Sequence, residues 1–220
     1  MADPLDAARL PQAVRVILVR HARPRIVLTR PAPEWDLSQD GIDAADRLTA
    51  LALFEHATGL YAGPEPKMRS TLASIATERG VPVEGDAAFA ESGAAGWLAE
   101  GVFLATVGRF FTTPDEPAAV GWEPAAAAAA RFAAGIDRLR PRYGPVVVPG
   151  HVNPGTFAVV SGGRVLTAYL VSLLDYPPET AFQVWRHLRM PDVAVIELAP
   201  DAPPRLVIPF GVLTTGAAAA

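Results

Sequence analysis

The sequence contains no cysteine. Disulfide bridges and thiolate metal sites are therefore excluded, and the redox compartment is left open. Positive charge is also in short supply. Nineteen Lys and Arg residues stand against 23 Asp and Glu, a formal net charge of −4, which argues against a nucleic-acid scaffold working through a basic face. No apolar run is long enough to span a bilayer, and the opening stretch MADPLDAARLPQAVR has no apolar core of the secretory-signal kind. The expectation is a soluble, cytoplasmic chain with neither membrane nor nucleic acid as partner. No segment repeats at a fixed period despite 22 prolines and 18 glycines, so a repeat array is excluded too. Half of the 220 residues are apolar, enough to bury one sizeable core. One domain over residues 1–220 is expected, with 1–13 and 214–220 as loose tails.

What the chain does carry is an alternation of two hydrophobic periods. VRVILV (14–19) is a β-branched run that suits a strand buried on both faces. SQDGIDAADRLTALAL places Ser38 as a helix cap, with Ile42, Ala45, Leu48 and Ala52 at helical spacing. GLYA (59–62) reads as a second strand. PKMRSTLASIATERG predicts one helix with Met68, Leu72 and Ile75 inward and Gly80 at its end. Phe103, Val107 and Phe110 mark another helical face, and Phe132, Ile136 and Leu139 a further one, which begins in the run AAAAAA (125–130). TFAVVS predicts a buried strand, then GG and the helix RVLTAYLVSLL; a helix near ETAFQVWRHL and strands near VAVIEL and RLVIPF follow. The class is α/β, a three-layer α/β/α sandwich with a mostly parallel central sheet. In such sheets ligands sit at the carboxyl ends of strands. Arg20 and His21 stand at such an end.

Read in order, LVRHA, WDLSQDG, YAGPEPKMRSTLASIA, FAESGAAGW, FFTTPDEPAAVGWEPAAAAAARF and WRHLRMPDVAVIEL resemble the histidine phosphatase superfamily, also called phosphoglycerate-mutase-like, in a divergent bacterial form. The likeness runs over nearly the whole chain. It implies a phosphohydrolase or phosphotransferase acting on a small phosphorylated metabolite, with His21 as the nucleophile that carries the phosphoryl group. Arg20 beside it offers a planar fork for phosphate oxygens. Lys67, at the start of a helix, is a candidate phosphate contact, and Arg23 and Arg164 are candidate substrate-binding charges. Glu91 resembles the family's proton donor to the leaving oxygen. No metal or cofactor is implied, and an oligomer is compatible with the pattern. Trp35 and Trp97 read as packing residues, and His56 and His187 as surface or packing histidines.

Three departures set the chain apart from this pattern. Ala62-Gly63 stands where the family has Ser-Ser or Thr-Ser, and Lys67 stands where it has an arginine. The family's second histidine, in a Val-x-His-Gly turn between a late strand and a helix, has two competing registers. VVVPGH supplies His151 in one, but VNPGT after it breaks any following helix. FAVVSGGRVLTAYL supplies strand, turn and helix in the other, with Gly162 at the histidine position. The second register is favoured; His151 then belongs to an extra loop or hairpin able to fold back over the site as a catalytic stand-in. These departures keep an alternative open: a catalytically impaired or repurposed member that binds an anionic metabolite or a protein partner.

Overall fold

The β-branched run at the start of the chain forms β1 (Val14–Arg20), with six of its seven residues buried. The computed structural model describes residues 13–93, 98–148 and 151–212. Around β1 it places β2 (Ala57–Ala62), β3 (Val83–Gly85), β6 (Gly155–Ser161), β7 (Asp192–Leu198) and β8 (Arg205–Ile208) in one sheet of order β3-β2-β6-β1-β7-β8. Pairings β3–β2, β2–β6 and β6–β1 are parallel, while β1–β7 and β7–β8 are antiparallel. Only β7 therefore runs against the rest, and the sheet is mostly parallel as expected. A separate hairpin, β4 (Val146–Val148) with β5 (His151–Asn153), precedes β6.

Successive residues of a strand point to opposite faces, and β1 uses both. Val16 and Leu18 join one core with Phe110, Phe132, Leu166 and Trp185. These come from α4 (Glu100–Thr112), α5 (Ala125–Leu139), α6 (Gly163–Leu173) and α7 (Pro178–His187). Ile17 and Val19 join a second core with Phe54, Met68, Leu72 and Ile75. This face is covered by 3-10 turns and by α2 (Pro66–Thr71) and α3 (Ala73–Arg79), near α1 (Gln39–Asp46). The sheet thus lies between two helical layers. Truncating a side chain such as Phe132, fully buried here, costs about 3–5 kcal/mol in comparable cores.

Two helices differ from the sequence reading. The helix expected from Pro66 to Arg79 is split at Leu72, whose φ of −101° and ψ of 3° interrupt it, although Met68, Leu72 and Ile75 do face inward. In α1, Ser38 caps as expected by accepting from the Gly41 amide. Its buried residues, however, are Gly41 and Ala45, while Ile42 is exposed. A Cβ at position 41 would overlap the Arg23 carbonyl, so the helix turns its smallest residue, not its largest, toward the chain leaving β1. Trp97 and most of the two expected tails lie outside the described residues.

Candidate active site

β1 and β6 are parallel neighbours, so their carboxyl ends lie side by side: Arg20 pairs with Ser161, and the His21 amide donates to the Ser161 carbonyl at 3.2 Å. His21 is 5% exposed and Arg20 7%. A carbonyl can only accept, so the His21 Nδ1 contact with the Ala22 carbonyl at 2.8 Å puts a hydrogen on Nδ1. Nε2 is then the nitrogen that bears the lone pair in the neutral ring. The Ala22 amide donates to Thr71 Oγ1, tying the turn after β1 to α2. Arg20 Nη1 donates to the Leu188 carbonyl at 2.6 Å.

Nε2 faces Glu91, whose Oε1 lies 3.3 Å away. The same oxygen is 4.0 Å from Lys67 Nζ, and Oε2 is 3.4 Å from Arg164 Nη2. Arg164 leaves the first turn of α6 and lies over Trp122, its guanidinium carbon 3.5 Å from the ring centroid, a cation–π contact. The same Nη2 donates to the Gly93 carbonyl at 3.1 Å. Lys67 Nζ donates to the Ala32 carbonyl at 3.0 Å. Gly162 is the cap residue before α6, and a Cβ built on it would overlap the Glu91 carboxylate. The carboxylate thus occupies the volume that any side chain at 162 would need. At Gly163 a Cβ would approach Arg20 Nε to 2.9 Å, so this pair of glycines makes room for the side chains of Glu91 and Arg20.

The electrostatics follow from the crowding. Burial alone would push the Glu91 carboxyl up. The His21 hydrogen bond and the charges of Lys67 and Arg164 outweigh that penalty and hold it well below the usual carboxylate range. Burial lowers Arg20 to about 10, opposed by the charges of Glu91 and Asp192. Burial also lowers Arg164, again with Glu91 opposing. One carboxylate is therefore shared by an imidazole, an ammonium and a guanidinium, with a second guanidinium beside them.

The family model of the histidine phosphatase superfamily (branch 1) matches residues 16–204. The chain belongs to that superfamily. No curated protein matches it. Among solved structures, a protein titled mycobacterial hydrolase 1 is similar at a TM-score of 0.72 and 16% identity, over 89% of this chain and 97% of that one. The mycobacterial glucosyl-3-phosphoglycerate phosphatase follows at 0.69 and 17%, over 89% and 98%. A mutant phosphoserine phosphatase from Entamoeba histolytica, in complex with phosphoserine, reaches 0.65 and 15%, over 90% and 97%. These likenesses carry the fold.

In this member of the superfamily, Arg20, His21, Lys67, Glu91 and Arg164 come together. His151 and Arg23 do not join them. His151 is the first residue of β5, which leads into the amino end of β6, so its backbone stands at the opposite end of the sheet from His21; its side chain lies outside the described residues. The expectation that its loop folds back over the site is corrected by that placement. Arg23 is exposed, and its carbonyl serves α1 by accepting from the Ser38 amide and hydroxyl. Lys67 sits at a helix start as expected, but α2 has only six residues and contributes little macrodipole. Trp35 packs half-buried and donates to the Val27 and Arg30 carbonyls, and His56 and His187 are surface residues.

Other residues that hold the site gave little signal in the sequence. Glu65 Oε1 accepts from the Glu91 amide at 2.9 Å. Arg131 donates to the carbonyls of Ala87, Ala88, Ala90 and Glu91 and pairs with Glu123. Asp192, paired with Arg20 across β1 and β7, accepts from the amides of Arg189, Val193 and Gly211. A lone charged residue in a helix or loop has no periodic signature. Asp192 alone had one, as an acid opening a β-branched run directly after a proline.

Proposed function

We propose that this superfamily member hydrolyses small phosphomonoesters through a phosphohistidine formed on His21. One observation carries the reading: with Nδ1 held by the Ala22 carbonyl, Nε2 faces a carboxylate seat ringed by Lys67 and Arg164. Such a seat suits an oxyanion next to a nucleophilic nitrogen. In the first step the Nε2 lone pair attacks phosphorus, the N–P bond forms and the P–O ester bond breaks. The leaving oxygen takes its proton from Glu91, which shares one proton with Nε2 across their hydrogen bond before substrate enters. In the second step Glu91 removes a proton from water, the water oxygen attacks phosphorus, and the N–P bond breaks to release phosphate. Arg20, Lys67 and Arg164 spread the negative charge of the phosphoryl oxygens. The first turn of α6, which its cap residue Gly162 leaves without a side-chain hydrogen bond, presents its positive end beside them.

The neighbours titled as phosphatases of glucosyl-3-phosphoglycerate and phosphoserine make small metabolite monoesters the first class to assay. Turnover should be slow. Gly162 offers no donor, and one such donor to a transferring oxyanion is worth roughly 10²–10³ in rate. Lys67 adds a point charge instead of a planar fork. The same two positions favour the second reading, an impaired or repurposed member that binds an anionic metabolite or a protein partner. The deciding experiment is turnover of an aryl phosphate by wild type and His21→Ala, with trapping of an acid-labile phosphoryl label. Turnover and label lost together in the variant support the phosphatase; wild type without either supports the second reading.

A further inference from the structure

In this structure the nucleophile is covered. His21 is 5% exposed and Lys67 3%, and the group that fills the space before Nε2 is the Glu91 carboxylate, with Oε1 at 3.3 Å. A phosphorus atom about to be attacked must stand at roughly 3–3.5 Å from the attacking nitrogen. Glu91 and the phosphoryl group therefore claim one place. That place is hollowed out for a group from elsewhere in the chain, because a side chain on Gly162 would fill it.

The carboxylate is an incomplete occupant. Among the described residues, Arg20 Nε and Arg164 Nη1 are buried donors without an acceptor. A carboxylate has two oxygens, already engaged by His21, Lys67 and Arg164 Nη2. A phosphoryl group brings three peripheral oxygens and more charge, so it can serve donors that the carboxylate leaves orphaned. The backbone that carries the carboxylate is held independently of the seat. The Glu91 amide stays bonded to Glu65 and its carbonyl to Arg131.

We propose that Glu91 is a built-in competitor: its carboxylate occupies the phosphoryl seat in the resting protein and is displaced by the substrate's phosphate. This rests on the phosphatase reading and adds an autoinhibitory contact to it. As it is displaced, Glu91 takes with it the proton it shares with Nε2, which leaves the Nε2 lone pair free, and it stays within the same cluster to pass that proton to the leaving oxygen.

The test is calorimetric titration of the full chain with inorganic phosphate in wild type, Glu91→Ala and Glu91→Asp. Glu91→Ala empties the seat and should bind phosphate about tenfold tighter or more, the equivalent of one charge-assisted hydrogen bond. Removing a negative charge would by itself favour an anion, and Glu91→Asp separates the two effects. It keeps the charge but shortens the reach, so it should also bind more tightly than wild type. Phosphate affinity in Glu91→Asp equal to or weaker than wild type overturns the proposal, as does no gain in Glu91→Ala. As a second readout, carbethoxylation of His21 in natively folded protein, followed by peptide mass, should be faster in both variants than in wild type; equal rates overturn it. Neither readout needs turnover. Tighter phosphate binding with no phosphohistidine would overturn the hydrolytic reading alone, and phosphohistidine chemistry with unchanged phosphate affinities would overturn the competitor alone.

Discussion

At Gly162 the constraint is volume, since φ −79° and ψ 150° are extended values open to any residue. What forbids a side chain is the Glu91 carboxylate. The pair sets the acid behaviour of the protein. Glu91 is held below its ordinary value of 4.5 in the fold, so its contribution to stability is fully present above that value and is lost as pH falls below it. Glu91→Gln has no proton to take up there and should show a flatter loss of stability on acidification. Gly162→Ala should do the same while leaving the carboxylate in the chain, because its methyl group evicts the carboxylate from the cations. Urea midpoints measured across the range below pH 4.5 check both, and slopes equal to wild type would break the link between the two residues. Arg20 and His21 were legible in the sequence because a strand cannot bury two such residues at its end without a task for them. Glu91 was legible only through the family resemblance. Gly162 could be aligned with a missing histidine, but a glycine says nothing about the neighbour that fills its place.

At the scale of elements, apolar periodicity located the long helices and the buried strands and failed where pieces were short. β3 and the β4–β5 hairpin have three residues per strand, too few for a period to emerge. The break at Leu72 was hidden because Met68, Leu72 and Ile75 keep an inward face on both sides of it. The segment carrying Glu91 has only a three-residue 3-10 turn, Ala87–Phe89, and is pinned from outside. Arg131 on α5 donates to four of its carbonyls and pairs with Glu123. Arg131→Lys keeps the charge and loses the fork, so it should cost about 1.5–3 kcal/mol, the range for hydrogen bonds to a charged group. Turnover should fall with it, because the Glu91 backbone loses its anchor. Chemical denaturation and an aryl phosphate assay read the two effects. A variant as stable as wild type would show that Glu65 alone holds the segment.

Across the whole molecule, the sheet sorts residues by end as well as by face. The class and the mostly parallel sheet were legible, because alternating strands and helices leave few other arrangements. The strand order was not, since it depends on which distant runs pair, and β6 inserts between β1 and β2 from more than ninety residues downstream of β2. That order decides the fate of His151. β6 runs from Gly155, beside Val14, to Ser161, beside Arg20. At about 3.3 Å per residue the two ends are on the order of 20 Å apart. His151 precedes the first end, and His21 follows the second. A histidine in that hairpin has no path to Nε2 of His21 without unpairing the strand that holds the site together. His151→Ala should therefore leave aryl phosphate turnover and phosphate affinity within about twofold of wild type, as expected for a substitution far from the chemistry with no shared partner. Kinetics of the variant beside His21→Ala measure this directly. A tenfold loss in His151→Ala would mean that the hairpin reaches the other end of the sheet, and that the length of β6 does not keep the two histidines apart.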